Sequence, residues 1–168
     1  MKKIMTPGNP FHAYDAEITL LDGGAAFTAM RTLFTIEAPI YAWIYHLEFS
    51  FAAELLALRP DGQETYFIID HRTRTIAADL AESFKTFNAR TWSTNRTMHD
   101  KTYVAPAHDA VLLGTHNLTR GAYWSSLNRS ALIIHRALTT ALLRDWKHDW
   151  LHAQSLRKST LRERKDEH

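Results

Sequence analysis

His99 and Lys101 stand two residues apart, and Asn117 follows sixteen residues after the lysine, just past the apolar run Ala110–Leu113. Side chains two apart on a strand point to the same face. A neutral imidazole at 99 can attack phosphorus, a compact ammonium at 101 can hold a phosphate oxygen, and the amide of Asn117 can donate to another. Together they suit phosphoryl transfer through a covalent phosphohistidine, with charge on the tetrahedral centre met by fixed donors. Thr115 and His116 lie in the same Gly114-Thr-His-Asn117 segment and are read as substrate-binding candidates. A threonine hydroxyl there either donates to substrate or caps its own turn. Asp100 falls between the paired residues, on the opposite face, and is read as structural.

A second constellation competes. His148 and His152 are spaced i, i+4, which places both on one helical face, as a zinc site needs. The same helix needs Trp146 and Trp150 for packing, and no well-placed third ligand follows, so no metal is expected. Arg72, Arg74, Arg90 and Arg96 flank the ends of expected strands and are candidates to line a nucleic-acid backbone, or are simply solvated.

The segments MHDKTYVA (98–105) and AVLLGTHNLTRGAY (110–123) resemble the HxK…GSxN signature of the phospholipase D superfamily, and within it the short nucleases that carry a single motif. The similarity spans roughly residues 16–153. Upstream, LLDGGAAFTAMRTLFTIEAPIYAWIYHLEFS and FAAELLALRPDGQETYFIID are similar to the start of that domain. Downstream, SALIIHRALTTALLRDWKHDW is similar to its closing strand and Trp-rich last helix. The resemblance implies a metal-independent phosphodiesterase without cofactors, most simply a nuclease acting on DNA or RNA. His99 is the nucleophile, and the site is completed by a second copy of the chain in a homodimer. Phospholipid headgroup transfer is the other enzymatic expectation, because LLDGGAAF also resembles phosphatidyltransferases. A binding module of the same fold with weakened chemistry is the non-enzymatic one.

The pattern departs from the family at two acids. Pro106 stands five residues after the lysine, where the family has Asp, and the nearest acid is Asp109. Asn128, or Arg129 with a one-residue shift, stands where the family has Glu behind the histidine. Thr115 for serine is a mild change.

The elements that must position these residues read as alternating strands and helices. Strands are expected at 16–21, 40–47, 65–70, 99–105, 110–114 and 130–135. Helices are expected at 25–37, 50–58, 75–89 and 136–154. The segment 40–47 is apolar on both faces and is expected to be a covered central strand. The fold expected is α/β, a mixed sheet with helices on both faces. Residues 1–15 are expected to be an extended lead-in, 16–154 the domain, and 155–168 a charged, solvated tail.

Composition bounds the function. The chain has 168 residues, 45% of them hydrophobic, with five tryptophans, so a sizeable core is expected. Net charge is +2, so an anionic ligand has to be met by a local patch. No cysteine is present, which removes disulfides and thiol catalysis. No apolar signal region and no run of eighteen apolar residues are seen, so a cytoplasmic protein without membrane insertion is expected.

Overall fold

The computed structural model describes residues 16–92, 98–124 and 128–156. Eight strands form one sheet among them: β1 (Glu17–Leu21), β2 (Ile40–Ile44), β3 (Thr65–Ile69), β4 (Phe87–Thr91), β5 (Lys101–Ala105), β6 (Ala110–Gly114), β7 (Ser130–Ile134) and the short β8 (Gln154–Ser155). Their order across the sheet is β1-β7-β6-β5-β2-β3-β4-β8. The β2, β3 and β4 strands run parallel, and every other pairing is antiparallel, so the sheet is mixed. Five helices accompany it: α1 (Gly23–Phe34), α2 (Phe49–Leu56), α3 (Arg74–Ser83), α4 (Arg120–Trp124) and α5 (Arg136–His152).

Alternation along the strands divides the interior in two. Ile40, Ala42 and Ile44 of β2 face a core shared with Met30, Phe34, Phe51, Leu55 and Leu80 from α1, α2 and α3. Tyr41 and Trp43 face the other side, where α5 packs through Trp146 and Trp150. A strand covered on both faces has to be apolar at successive positions, which is why IYAWI carries no charge. The α5 cover is pinned by two indole hydrogen bonds: Trp146 Nε1 donates to the Ala42 carbonyl at 3.1 Å and Trp43 Nε1 donates to Asp149 Oδ2 at 2.9 Å.

Helix ends are held by specific polar groups. The Asp22 side chain accepts from Ala25 N–H at the start of α1. Beyond its end, the buried Arg59 guanidinium donates to the carbonyls of Ile36 at 2.8 Å and Ala38 at 2.6 Å. This arginine satisfies the turn that carries the chain into β2.

The expected run of helix over 75–89 is corrected: α3 stops at Ser83, and residues 87–91 are a strand. Phe84 and Phe87 keep helical spacing with Leu80, but Phe84 is already extended (φ −124°, ψ 104°), and Phe87 pairs with Thr65 of β3. Tertiary pairing overrides the local period here. The short α4 and β8 are also additions to the sequence reading. The expected lead-in over 1–15 and most of the expected tail lie outside the described residues.

Candidate active site

The site assembles at one end of the sheet's middle. β2 and β5 are neighbours in antiparallel register, with Ile44 opposite Lys101. The exit of β2 therefore lies beside the entrance of β5. Tyr45 N–H donates to the Asp100 carbonyl at 2.9 Å and locks the two together one residue further out. His99 lies just before β5, exposed, with its ring 4.4 Å from the Tyr45 ring.

Lys101 is buried, at 5% exposure. Its Nζ lies 3.2 Å from His99 Nδ1 and donates to the His99 carbonyl at 3.2 Å. The same Nζ is 3.4 Å from His99 Nε2, so the ammonium stands against both ring nitrogens. Nζ also sits 4.7 Å from the Tyr45 ring centre, a cation–π contact. Burial pushes the Lys101 ammonium below its usual value, against the raising pull of Asp100.

Asn117 reaches the same end by topology. β6 lies on the far side of β5 from β2. The segment after β6 is held at its start by Thr115 N–H to the Arg129 carbonyl and at its finish by Leu118 N–H to the His46 carbonyl, both 2.9 Å. It therefore bridges from β6 to the exit of β2, across the entrance of β5 where His99 and Lys101 sit. Gly114 begins this bridge because a Cβ there would meet the Arg129 carbonyl oxygen at 2.4 Å. Asn117 Oδ1 is buried without a hydrogen-bond partner among the described residues.

Thr115 and His116 are used inside the bridge. The Thr115 hydroxyl accepts from Arg129 N–H at 2.9 Å and lies 3.1 Å from Asn128 Oδ1. His116 was expected to face substrate, but it is 3% exposed, with Nδ1 2.6 Å from Ser130 Oγ and its ring stacked on Tyr123 at 4.8 Å. Burial and then the charge of Arg129 push its pKa down. Asn128, one of the two residues read at the expected acid's position, donates through Nδ2 to the Ala122 carbonyl at 2.8 Å.

Neither Asp109 nor Glu48, an acid just beyond the exit of β2, stands free for His99. Asp109 sits in the left-handed turn (φ 50°) between β5 and β6, at the opposite end of β5, roughly 13 Å of strand away. Glu48 is committed to Ser50 Oγ at 2.6 Å and to Arg120 N–H at 3.2 Å, bonds that hold its carboxyl below the usual value. Asp100 accepts from Thr102 Oγ1 at 2.5 Å.

Two further residues, which the sequence reading did not single out for the site, stand against it. Asp70, fully buried after β3, accepts from Met98 N–H at 3.2 Å and so fixes the residue before His99. Tyr45 is the ring on which His99 and Lys101 both rest. Their only sequence signal is position, immediately after the C-terminal ends of neighbouring parallel strands, where open α/β sheets place ligands.

On the α5 side, a groove of about 670 Å³ runs from His99 and Lys101 between Trp43, Trp92, Leu142, Asp145 and Asp149. The rival pair His148 and His152 lies on the exposed face of α5, rings 4.5 Å apart, and no third ligand joins them among the described residues.

No protein-family model matches this sequence, and no curated protein is significantly similar to it. Solved structures do share its fold. NucT from Helicobacter pylori superposes with a TM-score of 0.70 at 11% identity, over 84% of this chain and 99% of that one. Nuc from Salmonella typhimurium, a phospholipase D family member, gives 0.63 at 19% identity, over 84% and 97%. Phosphatidylserine synthase from Haemophilus influenzae gives 0.60 at 14% identity, over 76% of this chain and 35% of that one. The chain has the phospholipase D-like fold.

Proposed function

We propose that this chain is a metal-independent phosphodiesterase of the phospholipase D type, a nuclease that cleaves DNA or RNA through a phosphohistidine at His99. The observation that carries the reading is the meeting of His99 and Lys101 at 3.2 Å, with the Asn117 bridge crossing the same strand entrance, in a fold shared with NucT and with Nuc, a phospholipase D family member. In the first step an imidazole nitrogen of His99 bonds to phosphorus as the bond to one ester oxygen breaks. That oxygen takes a proton from the partner subunit's His99. Lys101 and Asn117 hold the non-bridging oxygens. Water then displaces the imidazole and gives its proton back to the partner's base, leaving a phosphomonoester and an alcohol.

One motif supplies one histidine, so the working unit is a homodimer with both copies of His99 on a shared cleft. Residues 16–154 form the working domain, and no cofactor is needed. We place the protein in the cytoplasm. No helix among the described residues is long and apolar enough to cross a membrane.

The test is cleavage of single- and double-stranded DNA and RNA in EDTA, with wild type beside His99→Ala. Metal-independent cleavage that the variant loses supports the reading. Cleavage abolished by EDTA and restored by zinc or magnesium overturns it. A second reading, a binding module of the same fold, is supported by one observation: Asn128, one of the two residues read at the expected acid's position, carries an amide whose Oδ1 accepts from the Thr115 hydroxyl and whose Nδ2 donates to the Ala122 carbonyl. Nucleic-acid binding without turnover in the same assay selects it.

A further inference from the structure

Among the arginines expected to flank the strand ends, one is built into the site. Arg96 lies outside the described residues. Arg90 is committed to the α5 side, donating to the Trp150 carbonyl at 2.6 Å and lying over that indole at 4.6 Å. Arg74 is the first residue of α3, and Arg120, outside that set, is paired with Glu54 at 2.6 Å. Arg72 is different. It sits in the single 3-10 turn His71–Thr73 after β3, and Asp70 holds it twice, by Nε at 2.8 Å and by the backbone N–H at 3.1 Å. Asp70 is the same buried carboxylate that fixes Met98 beside His99. The guanidinium then lies 4.7 Å from the centre of the Tyr45 ring, while half of the Arg72 side chain stays exposed.

Three groups therefore share one ring: the nucleophile His99 at 4.4 Å, Lys101 at 4.7 Å and Arg72 at 4.7 Å. No two of them can therefore be more than about 9 Å apart, close enough for one nucleic-acid strand to reach both. An arginine held by its Nε still presents a planar fork of terminal N–H donors, the geometry that grips a phosphate. The other flank of His99 has the opposite sign. Its groove is lined by Asp100, Asp145 and Asp149 and repels a second phosphate. A strand entering the site thus has one favourable direction for its next phosphate.

We propose that Arg72, oriented by Asp70 and the Tyr45 ring, binds the backbone phosphate next to the scissile one, so that the site selects a polynucleotide strand over an isolated phosphodiester. This rests on the phosphodiesterase reading above and names its substrate class.

The test compares a fluorescent single-stranded oligonucleotide with bis(p-nitrophenyl) phosphate, which has no neighbouring phosphate. On the full chain, Arg72→Gln is expected to weaken oligonucleotide binding about tenfold, from loss of one charge-assisted contact. It is expected to lower the slope of log K against log salt by about one. The oligonucleotide KM rises more than kcat falls, and the loss exceeds that on the small diester about tenfold. Arg72→Lys, which keeps a cation beside Asp70, recovers part of the affinity and serves if the glutamine variant does not fold. Equal losses on both substrates, or an unchanged salt slope, overturn the proposal. Binding is read without turnover. An inactive protein whose oligonucleotide affinity still depends on Arg72 sinks the enzymatic reading and supports this one. Turnover of the small diester with no dependence of oligonucleotide binding on Arg72 does the reverse.

Discussion

His99 is exposed and rests on the Tyr45 ring beside the Lys101 ammonium, outside the apolar core, so its ring is proposed to supply chemistry. His99→Ala is expected to abolish cleavage while leaving the thermal unfolding midpoint within a degree or two of wild type. His148→Ala and His152→Ala, on the exposed face of α5, are expected to leave cleavage near wild type, and the reverse ranking would move the reading to a metallohydrolase. Asn128 gives a second residue-level expectation. A nucleophilic histidine is normally oriented, and its cation stabilised, by a carboxylate behind it. Asn128→Glu supplies one beside Thr115 and is expected to raise single-turnover cleavage about tenfold. No gain would mean that His99 is oriented from elsewhere, with Tyr45 as the first suspect. Asp70 gives a pH expectation. Burial pushes its carboxyl up, but hydrogen bonds from the Arg72 side chain and backbone, with the charges of Arg72 and His71, outweigh that and hold it below its usual value. The unfolded chain thus binds the proton more readily. The stabilisation is present in full above about pH 4 and is lost as pH falls through the depressed folded value. Urea unfolding across pH 2–6 should show this acid limb in wild type and a shallower one in Asp70→Asn.

At the scale of elements, α5 alone covers its face of the sheet within the described residues, and Trp146 is its anchor, at 2% exposure with its indole N–H on the Ala42 carbonyl. Trp146→Ala is expected to cost about 3–5 kcal/mol in urea unfolding, and a loss below about 1 kcal/mol would show that Trp150 carries the contact instead. Strands and helices with a strong local signal were legible in the sequence. β2 announced its central place by being apolar on both faces, and the long α5 by its length and aromatic spacing. The β4 strand was not, because Phe84 and Phe87 fit the helical period and only pairing with β3 decides between the two. The site divides in the same way. His99, Lys101 and Asn117 were singled out because their types and spacing are unusual together. Asp70, Tyr45 and the special place of Arg72 were not, because each is an ordinary residue until the parallel order of β2 and β3 sets their ends side by side. The inward turn of His116 had no local signal, because it comes from stacking on Tyr123.

For the whole molecule, the proposed dimer predicts twice the chain mass by sedimentation at micromolar concentration, and crosslinking between single cysteines placed beside residue 99. A monomer that still cleaves would exclude a shared cleft. Tyr123, just after the bridge, is buried within the chain at 1% exposure and offers no surface to a second copy. Trp124 remains, at 65%. The bridge from Gly114 to Leu118 has a wider consequence. Main-chain hydrogen bonds fasten it at both ends, to Arg129 and to His46, so its course does not depend on what its side chains do to a ligand. Such a socket can exchange its contents without disturbing the frame around it. A lineage built on this frame is free to tune, slow or abandon its reaction by single substitutions at the bridge's edge and still inherit an intact shape. Asn128, hydrogen-bonded to Thr115 at that edge, is one place where such a substitution can be made.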